Sequence, residues 1–431
     1  MTSATVQPRE FSGFDISSQE FWSRPFDVRD ETFARLRAHE GLTWHEPWES
    51  IFGVQEPGFW AVTRHADILE AERRSADFSS GDLPATLTSR AARARAETST
   101  LPMPRTLVSL DGGEHRALRQ LTQGWFVPQN LRKLEARLRQ LARASVDRMA
   151  ALGGECDFAR DIALYYPLRV IMEILGVPER DEPLMLKLTQ EMFGGEDKEL
   201  NRSGAEVDPA AALEGVRDAV MEFVGYFNAM IEDRRKSPRE DLGSVIANGR
   251  IDGEPLGFPE VVGYYLITAT AGHDTTSNTT ATGLWALAER PDLLARLKAD
   301  PALIPAHVEE SIRWASSVQH FMRAATADVE LGGQRIAKGD WLMLCYTSGN
   351  RDEAVFDNPF AYDINRPARH LAFGYGPHVC LGQHLARMEM RIFWEELLPR
   401  LERLELAGAP VRSSATFVGG PKHVPVRYRM G

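Results

Sequence analysis

The sequence predicts a mainly α-helical protein with small β-sheets, on three observations. Between Arg116 and Arg313 apolar residues recur at spacings of three and four, as in residues 131–152 (LRKLEARLRQLARASVDRMAAL) and 211–235 (AALEGVRDAVMEFVGYFNAMIEDRR). Strand-like alternation is confined to the first quarter and to residues 327–346 and 416–428. No internal repeat or low-complexity linker divides the chain, so residues 1–431 are taken as one domain.

In chain order, LTWHEP (42–47) and GFWAVTR (58–64) alternate apolar and polar positions and predict a hairpin, followed by a short helix in ADILEAERR. The helical region ends in a helix expected from about Pro259 to Arg290. In ADVELGGQRIAKGDWLMLCY, Lys338-Gly339-Asp340 supplies turn chemistry between strands, and TFVGGPKHVPVRY predicts a closing hairpin. Two long polar stretches, 79–105 and 194–210, are either surface connections or lids over a site.

Composition limits the function classes. The chain has 431 residues, 43% hydrophobic, with formal net charge −11, which argues against nucleic acid, since neutralising phosphates needs clustered Lys and Arg. The first residues lack a basic region followed by an apolar stretch, so no secretory signal or membrane anchor is expected and a cytoplasmic location is. Three scattered cysteines, Cys156, Cys345 and Cys380, form neither a disulfide framework nor a zinc motif.

Cys380, in HLAFGYGPHVCLGQHLARMEM, is the informative one. At a helix start it faces free backbone N–H groups and the positive end of the helix dipole, which favour the thiolate. Gly374 and Gly376 permit a sharp turn, and Gly382 lets a flat group lie against the backbone. Leu381, Leu385, Met388 and Ile392 share one helix face. The pattern suits a metal ligand; a buried structural cysteine is the alternative.

The predicted helix 259–290 has apolar flanks around a polar centre, GHDTTSNTT, which excludes a membrane span. Gly272 and the hydroxyls of Thr275 and Thr276 permit a local opening of the hydrogen-bond ladder and hence a groove for a small ligand. Asp274 beside Thr275 puts an acid and a hydroxyl there, as proton delivery requires. His273 either lines that path or faces another helix.

Phe373, Gly376, Cys380 and Gly382 resemble the haem-binding signature of the cytochrome P-450 family, and Ala271-Gly272-His273-Asp274-Thr275 resembles its oxygen-activation motif. The resemblance implies a P-450 fold, with a large helical lobe, a smaller β-rich lobe and haem b between them. It makes Cys380 the iron ligand, Thr275 the oxygen-side hydroxyl and Asp274 the acid. Glu310 and Arg313 resemble the family's E-x-x-R pair, with Arg366 as third member and Arg369 as the other candidate. His115, Arg119, Arg323 and His378 are the residues expected to hold the haem propionates, and Ile267, Ala271, Gln319 and Phe417 those expected at the substrate. Gln319 either hydrogen-bonds substrate or turns to backbone partners.

The implied function is monooxygenation of a small hydrophobic substrate with dioxygen and two electrons from a 2Fe–2S ferredoxin and its reductase. The carrier would dock on a basic face of Arg116, Arg119, Arg387 and Arg391. AGHDTTSNTT, SVQHFMRAA, CLGQHLA and FVGGPK look most like the subgroup around the bacterial α-terpineol hydroxylase, which implies a monoterpene, terpenoid alcohol or alkyl-aromatic substrate. A peroxide-driven hydroxylase and a haem-thiolate sensor without turnover are the rival readings; the Asp274–Thr275 pair counts against both.

Overall fold

The computed structural model describes residues 9–47, 58–81, 86, 104–194, 197–200 and 209–431. Its largest sheet has five strands in the order Thr43–His45, Phe59–Val62, Trp341–Cys345, His320–Ala325 and Phe78–Ser79. The first pair is the predicted antiparallel hairpin, and Phe59–Val62 then runs parallel to Trp341–Cys345. Side chains alternate across the sheet with the period of two that a pleated strand imposes. Phe59, Ala61, Met322, Ala324, Trp341 and Met343 pack on Phe33 and Leu36 of the helix Phe26–Ala38. Trp60, Val62, Ala325, Leu342 and Leu344 pack on the other face with Ile68 and Ala71, from the helix His65–Arg73.

The helical lobe holds one large core, to which the helices Glu135–Ala151, Tyr165–Leu175, Phe258–Ala271, Ile304–Ala315 and Gln383–Leu397 contribute apolar faces. Pro425–Met430 lies between Leu401–Leu406 and Glu155–Asp157 in a three-stranded sheet, joining the chain's end to this lobe. Among the described residues no helix is long and apolar enough to cross a membrane.

Instead of one helix over 259–290 there are two, Phe258–Ala271 and Asp274–Glu289, separated by Gly272 and His273. Gly272 sits so close to the next helix that a Cβ there would lie 2.3 Å from Ile171 Cδ1. The His273 ring is held at both nitrogens, Nε2 by Leu164 O at 2.8 Å and Nδ1 by Thr189 Oγ1 at 2.8 Å, so it faces neighbouring elements. Beyond the break the polar run stays helical because its hydroxyls bond the carbonyls one turn back: Thr275 to Ala271, Ser277 to His273, Thr279 to Thr275 and Thr280 to Thr276.

Of the two polar stretches, the structure describes only 79–81, 86 and 104–105 in the first, and 194, 197–200 and 209–210 in the second. The rest of each lies outside the described residues.

Candidate active site

Cys380 lies three residues before the helix Gln383–Leu397 and forms part of the floor of a cavity between the two lobes. Its amide donates to Phe373 O at 2.8 Å, closing the loop back on itself. Burial pushes the thiol pKa up, against the N–H groups of Gly382 and Gln383 and the charges of Arg119 and Arg387. The helix start therefore does not by itself make Cys380 an anion; a bound metal must supply the rest, since a coordinating thiol is deprotonated by its ion. Gly374 and Gly376 have φ of +64° and +66°. A Cβ on Gly376 would fall 2.4 Å from Glu72 O, so this glycine lets the loop press against the helix His65–Arg73. Gly382 also lines the cavity, and a Cβ there would meet nothing within 4 Å.

All four expected rim residues line the same cavity. His115 and Arg119 are one turn apart on the helix Gly112–Gln123 and so share a face. The His115 ring lies 4.2 Å from that of His378, centroid to centroid. Burial, with the charges of His378 and Arg119, lowers His115 to about 4, so at neutral pH it offers one N–H and no charge. Arg119 Nη2 donates to Val379 O at 2.7 Å, and His378 Nε2 lies 3.3 Å from Asp111 Oδ1. Arg323 Nη2 donates to Glu72 Oε1 at 3.2 Å, and the Tyr346 hydroxyl donates to the same oxygen. Buried Glu72 was not anticipated: in ADILEAERR it reads as an ordinary helical acid, and only the sheet's docking on that helix buries it.

Ile267, Thr268, Ala271, Gly272 and Thr275 line the cavity from the broken helix, with Ile171, Ile174, Val318 and Phe321 around them. Gln319 and Phe417 are absent from this wall, contrary to expectation. The Gln319 amide is used within the protein: Nε2 donates to Ala415 O (2.8 Å) and Thr416 O (3.1 Å), while Oε1 accepts from Arg29 Nη1 at 2.7 Å. Phe417 packs behind Phe321, ring centroids 5.3 Å apart, and Phe321 takes the wall position.

Thr275 Oγ1 donates to Ala271 O at 2.7 Å. Asp274 does not share its groove. Successive helical side chains point about 100° apart, and Asp274 opens onto a second, more polar cavity lined also by Arg160, Asn278, Lys198, Lys422 and His423. Its Oδ2 has no hydrogen-bond partner, and burial raises its pKa to about 8. Glu389, also unanticipated, reaches the first cavity from the helix below; burial raises its pKa well above the carboxylate range, against a hydrogen bond with Thr276.

Arg313 grips Glu310 in two bonds of 2.8 and 2.7 Å, both side chains buried, and also donates to Asn350 O, Pro359 O and Ala361 O. Arg366 Nε lies 3.4 Å from Glu310 Oε1, whereas exposed Arg369 has its backbone oxygen on His65. The expected basic face is largely neutralised. Arg387 pairs with Glu309 at 2.5 Å, Arg391 with Glu395 at 2.6 Å and Glu135 at 3.0 Å, and Arg119 turns inward, which leaves Arg116 exposed.

Among the described residues no three His, Cys, Asp or Glu side chains converge on a metal position. A lone thiol under an apolar roof, with a glycine-backed floor and basic donors at the rim, fits a metal whose other ligands come from a flat macrocycle carrying acidic groups. These features define a site for a thiolate-ligated haem.

Comparison with known proteins agrees. The cytochrome P450 family model matches residues 85–414. Cytochrome P450-terp of a Pseudomonas species is 46% identical over 374 residues, covering 86% of this chain and 87% of that one. Linalool 8-monooxygenase of Pseudomonas putida is 32% identical, covering 96% and 98%. Among solved structures, CYP108D1 of Novosphingobium aromaticivorans superposes with a TM-score of 0.86 at 43% identity, covering 96% and 97%. Mycobacterium marinum CYP268A2, in complex with pseudoionone, gives 0.90 at 33%, covering 98% and 100%. The chain belongs to the cytochrome P450 family and is a haem b-dependent monooxygenase.

Proposed function

We propose that this monooxygenase hydroxylates a small hydrophobic substrate, a monoterpene, terpenoid alcohol or alkyl-aromatic, with electrons from a 2Fe–2S ferredoxin and its reductase. The observation that carries the reading is the cavity wall opposite Cys380. Ile171, Ile174, Ile267, Ala271, Val318 and Phe321 are branched, small or aromatic groups that exclude water and hold an apolar ligand by shape. Names of two relatives, P450-terp and linalool 8-monooxygenase, and the pseudoionone complex of a third point the same way.

In this reading Cys380 ligates the iron, and His115, Arg119, Arg323 and His378 hold the propionates. Haem supplies the activation of dioxygen and the insertion of one oxygen atom into a C–H bond, with electron density pushed from the thiolate. The chain's residues orient, dry and protonate. Asp274, neutral at pH 7 because it is buried, holds a proton at its carboxyl, and the adjoining Thr275 hydroxyl, which lies on the cavity side, passes it on. For the electron carrier, exposed Arg116 and Arg73, whose guanidinium lies 4.9 Å from the Tyr375 ring beside the Cys380 loop, offer cations to an acidic partner.

The test is an optical titration of the ferric haem protein with monoterpenes, monoterpene alcohols and alkylbenzenes. A saturable low-spin to high-spin change with one class, followed by product formation with ferredoxin, reductase and dioxygen, is expected. No change with any of these classes overturns the substrate assignment.

A further inference from the structure

Three arginines meet at one aromatic ring, remote in sequence from each other. The guanidinium carbons of Arg29, Arg351 and Arg412 lie 4.7, 4.6 and 3.5 Å from the centroid of Phe26. Arg29 is 3% exposed, Arg351 is fully buried and Arg412, on the edge strand Val411–Arg412, is half-buried.

Their counter-charge is incomplete. Among the described residues Asp30 is the carboxylate in ion-pair contact with the cluster, its Oδ2 lying 2.9 Å from Arg351 Nε, while Glu310 also offsets Arg351 from its own pairing with Arg313. Arg29 spends one donor on the neutral Gln319 amide and Arg351 one on Trp314 O. Arg29 Nε and Arg351 Nη1 are buried with no hydrogen-bond partner, and Arg412 has neither ion pair nor hydrogen bond among the described residues. Other buried arginines nearby differ: Arg37 holds Glu353, Arg313 holds Glu310 and Arg323 holds Glu72. Guanidinium stays charged at any pH a folded protein meets. An aromatic face offsets part of a buried cation's desolvation, but it cannot neutralise two extra charges.

Burial lowers Arg29 to about 10, against the charge of Asp30 and with that of Arg351, and burial with the charges of Arg29 and Arg351 pulls Arg412 well below its usual value, against Asp30.

We infer that Arg29, Arg351 and Arg412 form a binding site for a compact monovalent anion, chloride or a carboxylate, closed on one side by Phe26. Guanidinium is the weakly hydrated, fork-shaped donor that suits such a ligand. The site joins three remote segments: the start of the helix Phe26–Ala38, the loop that carries Arg351, and the two-stranded hairpin of Val411–Arg412 with Pro421–His423. Gln319 extends it to Ala415 and Thr416 in the same hairpin, which borders the cavity of Asp274. Occupancy thus fastens the hairpin beside the acid.

The test uses the haem-loaded protein. Crystals are soaked in sodium bromide, and thermal unfolding is followed while sodium chloride or sodium acetate is titrated at an ionic strength held by a bulky sulfonate buffer. A bromide anomalous peak at the three guanidinia is expected, with a saturable rise in midpoint of about 2 °C or more. Arg412→Met keeps the aliphatic stem and loses both responses. A response to acetate without chloride or bromide makes the site a carboxylate one; a response to both makes it general for compact anions. No saturable rise with either anion, or an equal rise in Arg412→Met, overturns the inference.

Discussion

Asp274 and Thr275 adjoin in sequence yet open onto different cavities, Thr275 onto the one floored by Cys380 and Asp274 onto its polar neighbour. A proton passing between them has to go from one side of the helix Asp274–Glu289 to the other, at its first turn. Asp274→Asn keeps shape and removes the proton, so it should slow product formation roughly 100-fold. Thr275→Ala should instead leave electron use fast and lower the ratio of product to reductant consumed. Unchanged coupling in Thr275→Ala would refute its assigned role.

The same acid makes stability depend on pH. Burial lifts Asp274 to about 8, whereas an unfolded-chain carboxyl titrates at about 4. The folded protein holds a proton that the unfolded chain releases, so this contribution is whole below about pH 4 and is lost as pH rises through 8. Asp274→Asn should flatten the fall in unfolding midpoint between about pH 5 and 8. Parallel pH profiles for wild type and variant would contradict the buried, neutral carboxyl.

Glu310→Gln leaves the buried guanidinium of Arg313 without its counter-charge and should cost about 3–5 kcal/mol. Arg366, at 3.4 Å with no hydrogen bond from Nε, matters less through charge than through its bonds to Asn358 O and Ala361 O. Arg366→Lys should therefore lose more than half of what Arg366→Ala loses. Haem content after expression and the unfolding midpoint read both.

Removing the rim should release cofactor rather than alter chemistry. Each charge-assisted hydrogen bond is worth about 1.5–3 kcal/mol, so Arg119→Leu or Arg323→Leu should speed haem transfer to an apoglobin scavenger by about 10- to 100-fold. Cys380→Ala should abolish the thiolate signature in the absorption spectrum, whether or not haem remains bound.

Gly376→Ala places a methyl group on a residue at φ +66° and within 2.4 Å of Glu72 O. The loop must then lift from the helix beneath it. Gly382→Ala meets open space in the protein itself, so its cost should appear in haem affinity and leave the apoprotein's midpoint unchanged.

The parts of this site legible in the sequence are those set by local spacing. Cys380 with its glycines, the one-turn pairs His115–Arg119 and Glu310–Arg313, and the hydroxyl run after Gly272 each fix a local geometry. The parts that escaped depend on tertiary contact. Glu72 and Glu389 look like surface acids until a sheet or a helix is laid over them. Spacing leaves Gln319 open between substrate and backbone partners, and the structure takes the second; Phe417 lies one layer behind the wall because the side chain that reaches the cavity, Phe321, is set by sheet register. Asp274 and Thr275 fall on different sides of the helix because neighbours in a helical sequence point about 100° apart.

The parallel pairing of Phe59–Val62 with Trp341–Cys345 has a consequence during synthesis. The Trp60 indole bonds Asp340 across a separation of 280 residues, so the first hairpin is made long before its neighbouring strand exists. At about 10 residues per second a ribosome needs on the order of half a minute to deliver that strand. Glu72, Arg323 and Cys380 come together only after it, so the cofactor pocket closes on a nearly complete chain. Until then Phe59 and Trp60 present an unfilled sheet edge that a nascent chain must keep from pairing with its neighbours.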